Sequence, residues 1–179
     1  MTESFLANRI MNGLLTDYLL EMKTLVLFRH GKSSWDHPLD DIDRPLILKG
    51  IKRIINVSIK NKNIFNKSKI IMTSPANRAV HTAFILARET NLGYNRILIN
   101  ESLYTFSSRS LESAIRSISD KFDYVIFVGH NPAFTEIINK LTNLKIDNMR
   151  TASWAKIIFN EKKWSDISVG RVKLCESIK

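Results

Sequence analysis

The sequence has few of the features that mark disulfide-rich, zinc-finger or membrane proteins. It contains one cysteine, Cys175, among 179 residues, so neither an internal disulfide nor a cysteine-based zinc site can form. No apolar stretch approaches the roughly 18 residues that a membrane-spanning helix requires. The first 22 residues carry three acidic side chains and one basic one, and they lack the basic start of a signal peptide. These absences predict a cytoplasmic protein without a membrane partner.

Acidic residues are also scarce: 17 stand against 27 lysines and arginines, for a net charge of +10. Between Arg44 and Arg88 there are ten basic residues and no acidic one. Such a field attracts anions, whether nucleic acid, acidic lipid or a phosphorylated protein, although solvated lysines on helix faces are the ordinary explanation. No aromatic RNA-binding motif or zinc-finger spacing accompanies the charge, so nucleic acid is the weakest of these partners.

Short apolar runs alternate with helical periodicity along the chain. We predict strands at 23–28, 69–73, 96–99, 124–128 and 154–159, another within 164–175, and helices at 47–61, 76–90, near 111–118 and near 134–141. Residues 1–22 are predicted to hold a short amphipathic helix, and 36–46 an acidic loop. This alternation predicts an α/β fold in three layers, with a doubly wound, mostly parallel sheet flanked by helices.

Polar residues follow three of the predicted strands. The first strand ends in Arg29, His30 and Gly31. The second ends in residues 73–78, the last of which is Arg78. The strand 124–128 is followed by residues 129–132, which include His130. Ligands bind outside the carboxyl ends of strands in open α/β sheets, so the three clusters are expected to converge.

Two histidines and two arginines would make a cationic pocket, and the helix that begins near Asn131 could add free N–H groups. Such a pocket suits a phosphoryl group, because arginine binds its oxygens bidentately. The same arginines would repel a metal ion. A neutral imidazole could then act as the nucleophile. Taken singly, each histidine is more often structural and each glycine a turn residue; their joint placement favours function.

The motifs resemble those of the histidine phosphatase superfamily. Residues 29–35 (RHGKSSW) are similar to its RHG signature, residues 74–83 (SPANRAVHTA) to its second-arginine motif, and residues 129–132 (GHNP) to its second-histidine motif. Residues 43–46 (DRPL) with Gly50 look most like the SixA-type phosphohistidine phosphatases. The resemblance covers about 23–179, which predicts a histidine phosphatase domain there and an N-terminal extension at 1–22. Because Met22 looks like the usual start of such chains, residues 1–21 are expected to be dispensable.

The resemblance implies a phosphoglycerate mutase-like fold and a hydrolase that needs no metal or other cofactor. His30 would take the phosphoryl group as a phosphohistidine, which water then hydrolyses. Arg29, Arg78 and His130 would hold the phosphoryl oxygens, with Ser33 as a further candidate for phosphate binding. The implied partner is a phosphorylated substrate, and for the SixA type a phosphohistidine on another protein.

Two positions depart from the family pattern. Asp36 stands where many members have asparagine, and a carboxylate there would repel phosphate unless it is protonated or turned away. Glu101 lies near the position of the proton donor of the mutases and is the candidate general acid, although a phosphoramidate leaving group needs little help from an acid. The alternatives to a SixA-type enzyme are a small-molecule phosphomonoesterase of the same fold and a catalytically weak module that binds phosphoproteins.

Overall fold

The computed structural model describes residues 22–36 and 38–174. In this part of the chain six strands form one mixed sheet in the order β3-β2-β4-β1-β5-β6. The strands are β1 (Thr24–Arg29), β2 (Ile70–Thr73), β3 (Ile97–Ile99), β4 (Tyr124–Gly129), β5 (Trp154–Ile158) and β6 (Arg171–Leu174). Neighbours among β1 to β4 pair in parallel, whereas β5 pairs antiparallel with β1 and with β6.

Five helices accompany the sheet in the described residues. They are α1 (Leu48–Lys60), α2 (Lys62–Phe65), α3 (Asn77–Thr90), α4 (Ser108–Arg116) and α5 (Ala133–Leu141). Short 3-10 turns lie at Asp41–Asp43, Tyr94–Arg96, Glu101–Leu103 and Trp164–Asp166. Among these helices none is both long and apolar enough to span a bilayer.

Alternation along β1 divides the core into two layers. Leu25 and Leu27 pack in the cluster that includes α4 and α5, while Val26 and Phe28 pack in the cluster that includes α1, α2 and α3. Successive side chains of a strand point to opposite faces, so a strand that is apolar at every position must be covered on both sides. The predicted three-layer α/β fold is confirmed.

The differences from prediction are local. The four-residue helix α2 was not predicted, because so short a segment carries no readable period. The acidic segment 36–46, predicted as a loop, contains the 3-10 turn Asp41–Asp43. The helix predicted within residues 1–22 and the dispensable segment predicted at 1–21 lie, apart from Met22, outside the described residues. Met22 is described and is buried.

Gly50 fixes the position of α1 against the loop that follows β1. A Cβ atom at Gly50 would lie 2.3 Å from the carbonyl oxygen of Lys32, and the same oxygen accepts a hydrogen bond of 3.0 Å from the backbone N–H of Ile47. The first turn of α1 therefore lies directly against the residues that follow His30.

Candidate active site

The carboxyl ends of β1, β2 and β4 lie side by side, because these parallel strands pair in register. The residues that follow them, His30, Ser74 and His130, are consequently neighbours. Arg78 joins them from the first turn of α3. The ring centroids of His30 and His130 are 5.0 Å apart. The structure thus brings together the three clusters that the sequence predicts to converge.

His30 presents one ring nitrogen to the site. Its Nδ1 lies 2.7 Å from the carbonyl oxygen of Gly31, and because a carbonyl can only accept, Nδ1 carries the proton of the neutral ring. Nε2 therefore keeps its lone pair, and the Nε–H of Arg78 donates to it over 3.3 Å. Nε2 is the nitrogen available to attack an electrophile.

Burial and positive neighbours keep His30 neutral. Desolvation is the largest cause, and His130, Arg78 and Arg29 add repulsion that outweighs the bond to Gly31, so the pKa of His30 falls to about 3. At neutral pH the ring is uncharged and Nε2 carries no proton, which a nitrogen nucleophile requires.

Arg78 lies between a carboxylate and the two imidazoles, and only 2% of it is exposed. Its Nη2 donates to the carboxylate of Asp41 over 2.7 Å and lies 3.4 Å from Nδ1 of His130. Its Nη1 donates to the backbone carbonyl of Asp41. Four contacts on one planar group leave the guanidinium little freedom to turn.

Asp41 has two hydrogen-bond partners besides Arg78. Its carboxylate also accepts hydrogen bonds from Arg44 over 2.8 Å and from the hydroxyl of Tyr104 over 2.9 Å. Partial burial alone would raise the pKa of Asp41, but these bonds and the one from Arg78 outweigh it and hold the pKa well below the usual range. Asp41 is therefore a permanent anion that positions two arginines.

His130 is 1% exposed, and its Nε2 lies 2.8 Å from the hydroxyl of Ser74. Burial first, and then Arg78, lower the pKa of His130 to about 3, with Asp41 acting in the opposite direction. Because the hydroxyl of Ser74 can donate or accept, His130 can present either a lone pair or an N–H at Nδ1. The ring can thus bond to Arg78 in the free protein and to an anionic oxygen in a complex.

Arg29 enters the site from the end of β1. Its Nη1 donates to the carbonyl of Met149 over 2.5 Å and to the amide oxygen of Asn148 over 3.4 Å. Its buried Nε has no hydrogen-bond partner. Burial lowers the pKa of Arg29, yet a guanidinium stays charged at neutral pH. Arg29 therefore brings a positive charge to the wall of the site.

A cavity of about 700 Å³ is lined by Arg29, His30, Asp41, Arg78 and His130, among others. Among the described residues, one carboxylate, that of Asp41, lines this cavity, and the cationic side chains that line it are Arg29, Lys32, Arg44, Arg53, Arg78 and Arg150. Positive charge in a walled cavity concentrates anions. These charges favour an anionic ligand in the cavity beside His30.

The two remaining site residues that the sequence predicts lie in different places: Ser33 in the cavity and Glu101 outside it. Ser33 lines the cavity, and its hydroxyl accepts a hydrogen bond of 2.7 Å from Arg44, which leaves its O–H free to donate. Glu101 does not line the cavity; it is exposed and lines a separate groove beside Ser110 and Ser113. A general-acid role for Glu101 stays a prediction that this position does not favour.

Asp36 is turned away from the cavity. Its carboxylate accepts a hydrogen bond of 2.8 Å from the hydroxyl of Ser34, and its backbone N–H donates to the same hydroxyl over 2.9 Å. The side chain is exposed and is not among the residues that line the cavity. The repulsion of phosphate expected from a carboxylate at this position is avoided in this conformation.

Sequence reasoning missed Asp41, Tyr104 and Phe106. The rings of Tyr104 and Phe106 lie 5.5 and 5.7 Å from that of His130, centroid to centroid. Both residues come after β3 and after the 3-10 turn Glu101–Leu103, so the rule that identified the residues directly after the other strands does not select them. For Asp41 no sequence signal was available, because Asp40 and Asp43 also lie within four residues of Arg44.

The donor set does not suit a metal ion. Among residues 22–36 and 38–174, no three histidine, cysteine, aspartate or glutamate side chains are grouped so that they could hold one. In the cavity the carboxylate of Asp41 is already bound to Arg44 and Arg78, whose charges oppose a cation. Chemistry without a metal stays a prediction of the sequence, consistent with this arrangement.

No family model matches the sequence, and no curated protein matches it significantly in sequence. Solved structures do match the fold. A protein histidine phosphatase SixA in complex with tungstate superposes with a TM-score of 0.69 at 17% identity, over 84% of this chain and 94% of that one.

Two further solved structures also match the fold over most of both chains. A protein from Agrobacterium tumefaciens assigned as the phosphohistidine phosphatase SixA gives a TM-score of 0.70 at 20% identity, over 86% of this chain and 97% of that one. A phosphoglycerate mutase from Bacillus anthracis gives 0.70 at 17% identity, over 86% and 92%. The chain therefore has the phosphoglycerate mutase-like fold of the histidine phosphatases. Within that class, SixA is among the proteins that it matches in fold over most of both chains.

Proposed function

We propose that this protein is a metal-independent histidine phosphatase that uses His30 as its nucleophile. The observation that carries the proposal is the state of His30: its Nδ1 proton is held by Gly31, and its Nε2 lone pair lies beside Arg78. A group that only bound phosphate would need N–H donors and no free lone pair on a neutral ring. The tungstate bound to SixA, a tetrahedral oxyanion, supports such a site on this fold.

In the first step Nε2 of His30 attacks phosphorus while the bond from phosphorus to the leaving group breaks. The leaving group takes a proton from solvent water, and positive charge develops on the imidazole. The carbonyl of Gly31, which accepts from Nδ1 over 2.7 Å, stabilises that charge. Arg29, Arg78 and His130 hold the phosphoryl oxygens as their charge shifts in the transition state.

In the second step water attacks the phosphohistidine and releases inorganic phosphate. The bond between Nε2 and phosphorus breaks, and the imidazole returns to its neutral form. Because burial and the arginines favour the neutral imidazole over the cation, they also favour this release.

The substrate class proposed is a phosphohistidine on another protein. A phosphoramidate nitrogen can be protonated more readily than an alkoxide leaving group, so the reaction tolerates a site in which Glu101 does not line the cavity. The fold similarity to SixA over most of both chains supports this class. Removal of phosphate from a histidine of another protein would be a step in signal transduction, and the sequence predicts that it takes place in the cytoplasm.

The test compares turnover of a histidine-phosphorylated protein, an aryl phosphate and a set of sugar phosphates by the wild type and by His30→Ala. We expect hydrolysis of the phosphoprotein and the aryl phosphate, and none by the variant, with its fold intact by circular dichroism. A strong preference for one sugar phosphate would instead support a small-molecule phosphomonoesterase. Turnover by His30→Ala at the wild-type rate would refute the mechanism.

A further inference from the structure

We propose that the cavity binds a second anionic group of the substrate, besides the phosphoryl group, through Lys32, Arg53 and Arg150. This inference rests on the proposed function, because it takes the phosphoryl group to lie between His30 and Arg78. It adds that the substrate carries a further carboxylate or phosphate.

The charges that line the cavity exceed what a phosphoryl group can neutralise. Asp41 already pairs with Arg44 and Arg78, and a phosphoryl dianion would be shared by Arg78 and Arg29. Three lining cations then remain: Lys32, Arg53 and Arg150. In the described part of the chain their side chains have no hydrogen-bond or ion-pair partner. Unpaired cations that face one cavity repel one another unless an anion lies between them.

Arg53 is held towards the cavity by the packing of α1. The close approach of Gly50 to the backbone of Lys32 sets that face of the helix against the loop after β1. Residues three apart share a helix face, so Arg53 lies on the same face one turn later. It is only partly exposed, which restricts the guanidinium more than a free surface position would.

Arg150 reaches the cavity from the segment before β5; its side chain is exposed, but its backbone is fixed. Its carbonyl accepts a hydrogen bond of 3.1 Å from the N–H of Ser153, and the N–H of Ala152 donates to the carbonyl of His30 over 3.0 Å. The segment that carries Arg150 is thus bonded to the end of β1. Its side chain lines the same cavity as the candidate nucleophile.

The size of the cavity agrees with a substrate larger than a phosphoryl group. At about 700 Å³ it falls within the range of pockets that enclose drug-sized molecules. Trp35, which is 77% exposed, stacks on Arg44 with 3.1 Å between the guanidinium carbon and the ring centroid, and Phe106 is 49% exposed. Both rings line the cavity and offer apolar surface for the body of a substrate.

The ligand that this inference requires carries a phosphoryl group and a second acidic group on one molecule. The second acid could be an acidic side chain next to a phosphorylated residue of a protein, or an acid group of a small metabolite. Both sources present the same anion to Lys32, Arg53 and Arg150.

The test is direct binding by calorimetry, which does not depend on turnover. Each ligand pair shares a phosphonate and differs in a terminal carboxylate: propylphosphonate against 3-phosphonopropionate, and homologous pairs up to hexylphosphonate against 6-phosphonohexanoate. At one spacing we expect the carboxylate to improve binding by wild type at least 10-fold. In the double variant Arg53→Gln, Arg150→Gln the preference should fall below 3-fold. Lys52→Gln, which removes one charge from an exposed position of the same helix that does not line the cavity, should keep it.

The two possible sources of the second anion are distinguished with two phosphoserine peptides. One has glutamate beside the phosphoserine and the other has glutamine. A glutamate preference lost in the double variant assigns a protein substrate, and a preference confined to the phosphonocarboxylates assigns a small molecule. Equal affinity in every pair, or a preference that survives the double variant, overturns the inference. Aryl phosphate turnover, measured in parallel, tests the proposed function separately.

Discussion

Replacement of Asp41 by asparagine removes the anion that Arg78 and Arg44 share. The carboxylate accepts from Arg78 over 2.7 Å, from Arg44 over 2.8 Å and from Tyr104 over 2.9 Å. An asparagine amide keeps one acceptor oxygen and presents an N–H₂ in place of the other, so either Arg44 or the pair Arg78 and Tyr104, which share Oδ2, loses its acceptor. Arg78, with its side chain 3% exposed, is left as a buried cation without its counter-ion.

The loss of stability follows from the burial of the two partners. Removal of one partner from a fully buried ion pair costs about 3–5 kcal/mol. The side chain of Asp41 is 37% exposed, so solvent screening reduces the expected cost to about 1–3 kcal/mol. For a domain of this size that corresponds to a fall in Tm of roughly 2 to 12 °C.

The pH dependence of this loss has a definite sign. The pKa of Asp41 is lowered in the folded protein, so its contribution is fully present above the unfolded value of about 3.9 and is lost as pH falls towards the folded value. The difference in Tm between wild type and Asp41→Asn should be constant from pH 5 to 8 and should narrow below about pH 4.

Activity should fall more steeply than affinity. Displacement of Arg78 by a fraction of an ångström weakens its bonds to the transferring phosphoryl group, and we expect kcat to drop roughly 10- to 100-fold. KM should not rise, because an anion has been removed from beside an anion-binding cavity.

The assay is aryl phosphate kinetics together with thermal unfolding, with Asp43→Asn as the matched control. Asp43 is an exposed neighbour in the same 3-10 turn. In the part of the chain that the structure describes, its carboxylate accepts a hydrogen bond from the amide of Asn77 alone, over 3.4 Å. Wild-type kcat and Tm in Asp41→Asn, or equal losses in Asp43→Asn, would refute the positioning role of Asp41.

Two further substitutions test the site and its support. Arg78→Ala should lower kcat/KM for an aryl phosphate by at least about 100-fold, because it removes donors aimed at the transition state; a loss under threefold would contradict its role. Gly50→Ala places a Cβ atom 2.3 Å from the backbone oxygen of Lys32 and should cost about 1–3 kcal/mol or more in urea unfolding. Gly93→Ala is its control, since a Cβ there meets only the side chain of Asn95 within 4 Å; equal midpoints for the two variants would contradict the packing argument.

The fold could be predicted from the sequence because local patterns and burial agree. Strands β1 and β4 are apolar at nearly every position, which only a sheet covered on both faces allows. The helices that follow β2 and β4 show helical spacing of apolar residues. The turn Asp41–Asp43 carries no such pattern, since its conformation depends on side chains that lie far away in the chain.

The convergence of His30, Arg78 and His130 could also be predicted, because each follows a strand and parallel strands end at the same edge. Asp41 could not be singled out, since it is one of several aspartates in an acidic segment. Its partner Arg78 lies 37 residues away, so the pairing exists only once α3 has packed.

Glu101 shows the limit of reasoning from strand ends. It follows β3 after one residue, as its predicted role requires, but it opens the 3-10 turn Glu101–Leu103. In that turn the buried side chain is Leu103, and Glu101 is exposed. A position near a strand end places a residue at the correct edge, whereas the local turn decides which side chain faces the cavity.

The central claim, that His30 is the nucleophile, is tested most directly by trapping the phosphoenzyme. Wild type and His30→Ala are mixed with substrate labelled in the phosphoryl group, quenched in alkaline detergent, and the labelled peptide is identified by mass spectrometry. The mechanism predicts an acid-labile, alkali-stable phosphoryl group on His30 of the wild type and none on the folded variant. Label on another residue, or continued turnover by His30→Ala, would contradict it.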